Sequence, residues 1–231
     1  MINKCLLFMQ SLVFPEVCVF CRSTEHCAAG ICQSCYSQLP WAVQGCPICA
    51  LSIGTDLICG ACINNQPSFD ASIAVFNYKE PITNGIHALK FHHQFCFSRT
   101  FSITLARLIS GLDLEPRPDA ILAVPAHSKR LRIRGFNQAT EIATTLSRIL
   151  SIPMLDNTLF RTNENSPQRT LTKTQRLSNL KNAFHLSNRI SASRVAVVDD
   201  VMTTGSTLES IAQTLKSGGV EHVQNWVIAR A

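Results

Sequence analysis

Val195-Ala-Val-Val-Asp-Asp-Val-Met-Thr-Thr-Gly-Ser-Thr-Leu208 is the stretch that decides the fold. Val195 to Val198 are four small apolar residues in a row, the pattern of a strand buried on both faces of a parallel sheet. Asp199 and Asp200 stand where that strand is expected to end. Thr203-Thr204-Gly205-Ser206-Thr207 then forms a hydroxyl-rich turn into Leu208, Ile211, Ala212 and Leu215, which are spaced as one face of a helix. The first amides of a helix lack partners within it, and its dipole favours an anion there. Gly205 lets the main chain approach closely, and the hydroxyls add donors. Such a turn suits a phosphate, with the acidic pair one step away to grip sugar hydroxyls. Capping the helix needs only one Ser, Thr or Asp. Two carboxylates beside four Thr and Ser residues around a glycine ask for a ligand. A GxxxxGK[ST] loop is absent, so an ATPase has no support.

Working outward, Ala120-Ile-Leu-Ala-Val-Pro125 predicts a second buried strand, stopped by its proline. Its continuation, Ala126 to Gln138, is expected as a basic loop carrying Lys129, Arg130, Arg132 and Arg134. A helix follows from about Gln138 to Leu150. Before these lie a strand at 71–78, a helix at 81–91 and a helix at 97–112. Phe97, Phe101, Leu105 and Leu108 fall at helical spacing and read as core rather than a base-stacking platform. Strands at 194–198 and 223–228 complete an alternation that gives an α/β, doubly wound parallel sheet. Ligands gather beyond the carboxyl ends of such strands. The basic stretch and the Asp199 turn can therefore converge on one site. Arg161 to Phe184 is long and polar, as lids that exclude water are.

Eight of the eleven cysteines form C-x-x-C pairs: Cys18/Cys21, Cys32/Cys35, Cys46/Cys49 and Cys59/Cys62. Successive pairs start 14, 14 and 13 residues apart, so the segment reads as a repeated knuckle. Two pairs complete one tetrahedral four-cysteine zinc site, and eight ligands suffice for one or two structural ions. Sequential and crossed pairings are both open. A module this short lacks a core, so metal supplies most of its folding free energy. Cys5 and Cys96 are expected to be buried hydrophobes, and His26 and Cys27 are substitute ligands at most.

The domain plan is a docking helix at 1–16, a double zinc-ribbon module at 17–66, and the α/β domain at 67–231. Leu6, Leu7, Met9, Leu12 and Val13 suit one helix face better than an export signal, since Gln10 and Ser11 interrupt the apolar run. That points to a cytoplasmic protein whose thiols hold metal rather than disulfides. No apolar run reaches the eighteen or so residues of a membrane span. A net charge of +6 fits an anionic substrate or partner without choosing one.

The strand, two acids, two mostly apolar residues and Thr/Gly/Ser loop resemble the phosphoribosyl-diphosphate (PRPP) motif of type I phosphoribosyltransferases. The resemblance implies that Asp199 and Asp200 bind the ribose 2′- and 3′-hydroxyls and act as the catalytic pair. It places the 5′-phosphate on Thr203, Thr204, Gly205, Ser206 and Thr207. Pyrophosphate falls to Ala126, His127, Lys129 and Arg130, with Arg134 added, and Mg²⁺ accompanies PRPP. More of the chain resembles the ComF (ComFC/GntX-like) family: the cysteine pairs, Val124-Pro125, Arg134-Gly-Phe-Asn-Gln138, Gln168, Arg176, Asn179, Ala183-Phe184 and the Asp-Asp loop. That implies a phosphoribosyltransferase fold behind a zinc finger, pentosyl transfer if turnover occurs, and a role in DNA uptake during natural transformation. The acceptor is not implied, and Asp200, Lys173 and Arg176 are only candidates for contacts near the reacting centre. The alternative is a non-catalytic single-stranded-DNA-binding competence factor that works with DNA-uptake or recombination proteins. There Lys90, His92, His93, Arg99, the 129–134 cations and the knuckles track phosphates. Aromatic residues are not visibly interleaved with those charges.

Overall fold

The computed structural model describes residues 16–162, 183–188 and 190–231. The docking helix, Cys5, and the lid positions Gln168, Lys173, Arg176 and Asn179 lie outside them. Two short ribbons come first. In one, β1 (Cys27–Ala28) pairs antiparallel with β2 (Ile31–Cys32) and runs into α1 (Gln33–Gln38). The other contains α2 (Gly60–Asn64). The core continues with β3 (Ala71–Asn77), α3 (Ile82–His92), α4 (Phe95–Ser110) and β4 (Ala120–Ala123). Next come α5 (Ser128–Arg134), α6 (Gln138–Leu150) and an antiparallel pair, β5 (Leu159–Arg161) with β6 (Phe184–Leu186). The chain ends in β7 (Arg194–Met202), α7 (Ser206–Ser217) and β8 (His222–Arg230).

Four strands make one parallel sheet in the order β3-β8-β7-β4. The period of two along β7 divides its apolar run between the faces. Val195 and Val197 join a core with Leu208, Ile211 and Leu215 of α7. Ala196 and Val198 join another with Phe101 and Leu105 of α4 and Ile142 and Leu146 of α6. A central strand coated by helices on both faces has no polar side, which is why the run reads as continuously hydrophobic.

Ion pairs pin the amino ends of the strands. Arg194 at the start of β7 forks onto Asp119 just before β4, and this guanidinium holds the Asp119 carboxyl below its usual range. Asp70 before β3 meets Lys216 at 2.8 Å and accepts the Val223 amide at 2.8 Å. The carboxyl ends are left for ligand chemistry, as in other open parallel sheets.

Three expectations need correction. Asp199 and Asp200 lie inside β7 rather than past it, because β8 runs beside them and pairs Asp199 with Val227 and Met202 with Arg230. The basic stretch expected as a loop contains a helix, α5. His127 caps it by accepting the Lys129 amide at 3.1 Å, and Gly135 ends it at φ 75°. Cys96 is exposed, because it falls on the outer side of the first turn of α4. The polar stretch after Cys62 is tethered, with Ser68 bonded to Glu209 of α7.

Candidate functional site

The acids of β7 arrive at the site with different surroundings. Asp200 is buried, and Lys90 from the last turn of α3 reaches its carboxylate at 2.7 Å. Asp199 turns its Oδ1 back to accept the Asp200 amide at 2.8 Å. Burial first, and then the adjacent Asp200 charge, push the Asp199 carboxyl up to about 7, while Lys90 and Arg130 draw it down.

Beyond them the chain turns through Thr203 and Thr204 to Gly205, which caps α7 at φ 77°. A side chain there would be strained and would meet the Met202 Cε at 2.8 Å. Thr204 donates to the Ser206 hydroxyl at 3.0 Å and accepts the Ser206 amide at 3.4 Å. Thr203, Thr204 and Ser206 are exposed at the helix start, with Thr207 half-buried in its first turn. These hydroxyls and the first amides of α7 stand together at the turn where the sequence analysis expects a phosphate.

The second wall is Arg134-Gly-Phe-Asn-Gln138, and each of its residues has a local task. Asn137 caps α6 by accepting the Ala139 amide at 3.2 Å, and it donates to the Val124 carbonyl at 2.9 Å. Gln138 is buried and accepts from Arg134 at 3.2 Å, while its Nε2 has no partner among the described residues. The Arg134 guanidinium lies 4.8 Å from the Phe91 ring centroid. Burial, and then Arg130, lower its affinity for its proton, whereas Asp200 raises it. Arg130, Arg134, Lys90 and both acids thus form one electrostatic cluster. The His127 ring is engaged in capping, Ala126 is half-buried, and Lys129 is exposed.

The sequence offers Lys90 as a phosphate-tracking cation of the DNA-binding alternative, and nothing in its spacing announces an acidic partner 110 positions away. Arg230 was also overlooked. A cation at the carboxyl end of a parallel strand, beside the phosphate turn, was the available signal.

The cysteines resolve into two clusters of sequential pairs: Cys18, Cys21, Cys32 and Cys35, then Cys46, Cys49, Cys59 and Cys62. Within each, all sulfurs lie within 4.8 Å of one another. The Cys21–Cys32 and Cys49–Cys59 sulfurs are 3.5 and 3.7 Å apart. A tetrahedral zinc thiolate with bonds of about 2.3 Å sets its sulfurs about 3.8 Å apart, so both clusters fit a structural ion. Burial pushes the Cys18 thiol up, but amides of Cys21, Cys32 and Phe20 outweigh it and bring it to about 6. Cys46 comes to about 7 in the same way. Burial and then neighbouring sulfurs push Cys35 and Cys62 up. Four thiols this close need a dication to ionise together. Cys27 is not in either cluster; its sulfur donates to the Ser23 carbonyl at 3.2 Å.

Two family models match in this order: a double zinc ribbon domain over residues 9–63 and a phosphoribosyl transferase domain over residues 134–231. Competence protein F of Haemophilus influenzae is 38% identical over 229 residues, spanning 93% of this chain and 96% of that one. DNA utilization protein YhgH of Escherichia coli (strain K12) is 34% identical, spanning 95% and 99%. The chain belongs to the ComF family. Competence protein ComFC of Bacillus subtilis is a more distant relative, 25% identical over 87% of this chain and 84% of that one.

One feature of this ComF protein is invisible in its sequence. Phe91, Phe95 and Phe136 come together beside the site with His87, His92 and His93. Phe95 lies 4.7 Å from Phe136, His93 lies 5.5 Å from Phe136, and His87 lies 4.6 Å from Phe91. Phe91 and Phe95 are exposed. Phe91 follows Lys90 and Phe136 lies two residues after Arg134, so aromatics and cations from three separate segments gather in one place. Among the described residues no helix is long and apolar enough to cross a membrane.

Proposed function

We propose that this ComF protein binds PRPP with Mg²⁺ at the carboxyl ends of β7 and β8 and serves DNA uptake from the cytoplasm. The observation that carries it is the placement of Asp199 and Asp200 against Lys90, with the Gly205 cradle following on the same strand. Asp199 and Asp200 accept from the ribose diol, and Lys90 pairs with the Asp200 carboxylate and aims it. The amides and hydroxyls of residues 203–207 take the 5′-phosphate. Lys129, Arg130 and Arg134 face the pyrophosphate. Mg²⁺ entering with PRPP would supply charge to offset the leaving group, while these three cations hold the pyrophosphate from the protein side. In pentosyl transfer a nucleophile bonds to C1′ as the C1′–pyrophosphate bond breaks, and this chain contributes mainly position and fixed charge. The names of the relatives, competence and DNA utilization proteins, support the cellular role. Free thiols in two metal-type clusters favour a reducing compartment.

The test is calorimetric titration with PRPP and Mg²⁺. Wild type saturates. Asp199→Asn with Asp200→Asn loses affinity by about 100-fold or more, since each charge-assisted bond is worth about 1.5–3 kcal/mol and about 1.4 kcal/mol is tenfold. Unchanged binding by the double variant defeats the assignment.

The aromatic and cationic surface favours a second activity at the same end of the sheet: single-stranded DNA laid across Phe91 and Phe95, with Arg132 and Arg134 on its phosphates. Phe91→Ala then costs about 1–3 kcal/mol of strand affinity. Arg132→Ala with Arg134→Ala flattens the log–log salt dependence by roughly 1.4, at about 0.7 per phosphate contact. Strand binding indifferent to salt would rule it out.

A further inference from the structure

We infer that the second cysteine cluster positions the phosphate loop and that Arg230 is the link between them; this rests on the sugar-phosphate site proposed above. Arg230, the last residue of β8, donates its Nε to the Cys49 carbonyl at 2.9 Å. Its Nη1 donates to the Met202 carbonyl at 3.1 Å, and to the carbonyls of Thr203 and Ala231. One planar fork therefore spans a cysteine of the cluster and the two residues that open the phosphate loop. Arginine suits this task because its donors are fixed in one plane.

Both ends of the link are held. On the cluster side, the Ala50 amide closes a tight turn onto the Cys46 carbonyl at 2.8 Å, and the Cys59 amide points at the Cys46 sulfur at 3.4 Å. A metal ion on Cys46, Cys49, Cys59 and Cys62 would hold this knuckle, and with it the direction of the Cys49 carbonyl. On the loop side, Met202 lies directly under Gly205, where an added Cβ would touch its Cε at 2.8 Å. Between the two lies a cavity of about 590 Å³ lined by Cys59, Cys62, Phe69, Thr204, Gly205 and Arg230. Met202 and Phe69 back the loop at Gly205, and the cavity separates it from the cluster. Across that gap Arg230 is the tie that reaches the cluster. Among the described residues the first cluster has no such path: its ribbon packs around Ile31 and Leu39 in the core of α4 and α6, on the other face of the sheet.

Coupling of two sites is reciprocal, so a cluster that helps to seat a sugar phosphate on the loop is held more tightly to its ion by that ligand in return. The experiment follows zinc release from the full chain to excess colorimetric chelator, with and without saturating ribose 5-phosphate, whose binding is checked by calorimetry. Cys62→Ser and Cys21→Ser, each left with one intact cluster, assign the ions. The expected result is about tenfold slower release from the second cluster with ribose 5-phosphate and unchanged release from the first. Arg230→Gln should begin with two ions and lose the protection, and Arg230→Lys, which keeps the charge but not the fork, should restore little of it. Should Arg230→Gln fail to fold, Arg230→Lys and the comparison of the two cysteine variants still decide. Equal release rates with and without bound ribose 5-phosphate in wild type would overturn the coupling. If neither ribose 5-phosphate nor PRPP binds at all, the sugar-phosphate site itself falls, and the coupling with it.

Discussion

The two cysteine clusters carry the same four thiols in the same C-x-x-C spacing, yet the fold treats them differently. All four cysteines of the second are buried, and they belong to the same apolar core as α7 and the outer faces of Val195 and Val197. In the first, Cys18 and Cys32 are buried, Cys35 is half-buried and Cys21 is exposed. The second cluster is also stitched to the sheet by main-chain bonds. The Ser72 amide of β3 reaches the Pro47 carbonyl at 3.0 Å, and Arg230 of β8 reaches Cys49. The segment between the ribbons, residues 40–42, pairs with the outer edge of β3 through the Ala42 amide and the Pro40 carbonyl, shielding an edge strand. Identical local chemistry thus yields a peripheral knuckle in one place and an internal brace of the ligand end in the other.

That contrast breaks or holds first on metal loss. Removing one ligand from the second cluster exposes a hole in a shared core as well as freeing its ion. Cys59→Ser should lower Tm by about 10 °C or more, since 1 kcal/mol shifts a domain of this size by roughly 2–4 °C and a structural zinc is worth several times that. Cys21→Ser, at an exposed ligand, should cost about half as much or less. Scanning calorimetry of the two variants, each with its remaining ion verified, compares them directly. Equal drops would mean that the two ribbons are energetically alike after all.

Much of this architecture could be read in the chain, and the gaps have physical causes. Short-range patterns were legible: α6 begins and ends where the Gln138–Leu150 periodicity put it, and the fourfold apolar run of β7 is the sheet centre. The end of β7 was misplaced because its last residues are held as strand by β8, a neighbour that local sequence does not reveal. The zinc pairing stayed open for a similar reason. C-x-x-C spacing fixes which cysteines share one side of an ion, whereas the partner pair depends on how the ribbon turns. Within the site, the acids and the cradle are contiguous and were found together. Lys90, Arg230 and Glu209 come from three separate elements, so only the folded sheet brings them to the same end. The aromatic surface was missed because Phe91, Phe95 and Phe136 belong to three different helices or caps, and each alone looks like ordinary core.

Smaller effects sharpen the contrast through the ties of each ribbon. The second ribbon is fastened to α7 at Glu209, whose carboxylate accepts the Ser68 amide at 2.7 Å, the Ser68 hydroxyl at 2.6 Å and the Gln213 amide at 2.8 Å. Glu209→Ala removes the acceptor common to all three, and urea unfolding should register a loss of about 2–3 kcal/mol. Because Glu209 lies in the first turn of α7, PRPP affinity should fall too, by several-fold. The first ribbon is fastened by close approach instead. Gly30 sits at φ 78°, its carbonyl accepts the Val19 amide at 2.9 Å, and a Cβ there would come 2.4 Å from the Thr100 hydroxyl of α4. Gly30→Ala should therefore cost about 1–2 kcal/mol from the left-handed backbone alone, with Thr100 obliged to turn aside. The ribbon it loosens abuts the opposite face of the sheet from the phosphate loop, so PRPP affinity should stay within about twofold of wild type. A matching loss of affinity in Gly30→Ala would show that both ribbons act on the loop, and the asymmetry between them would be gone.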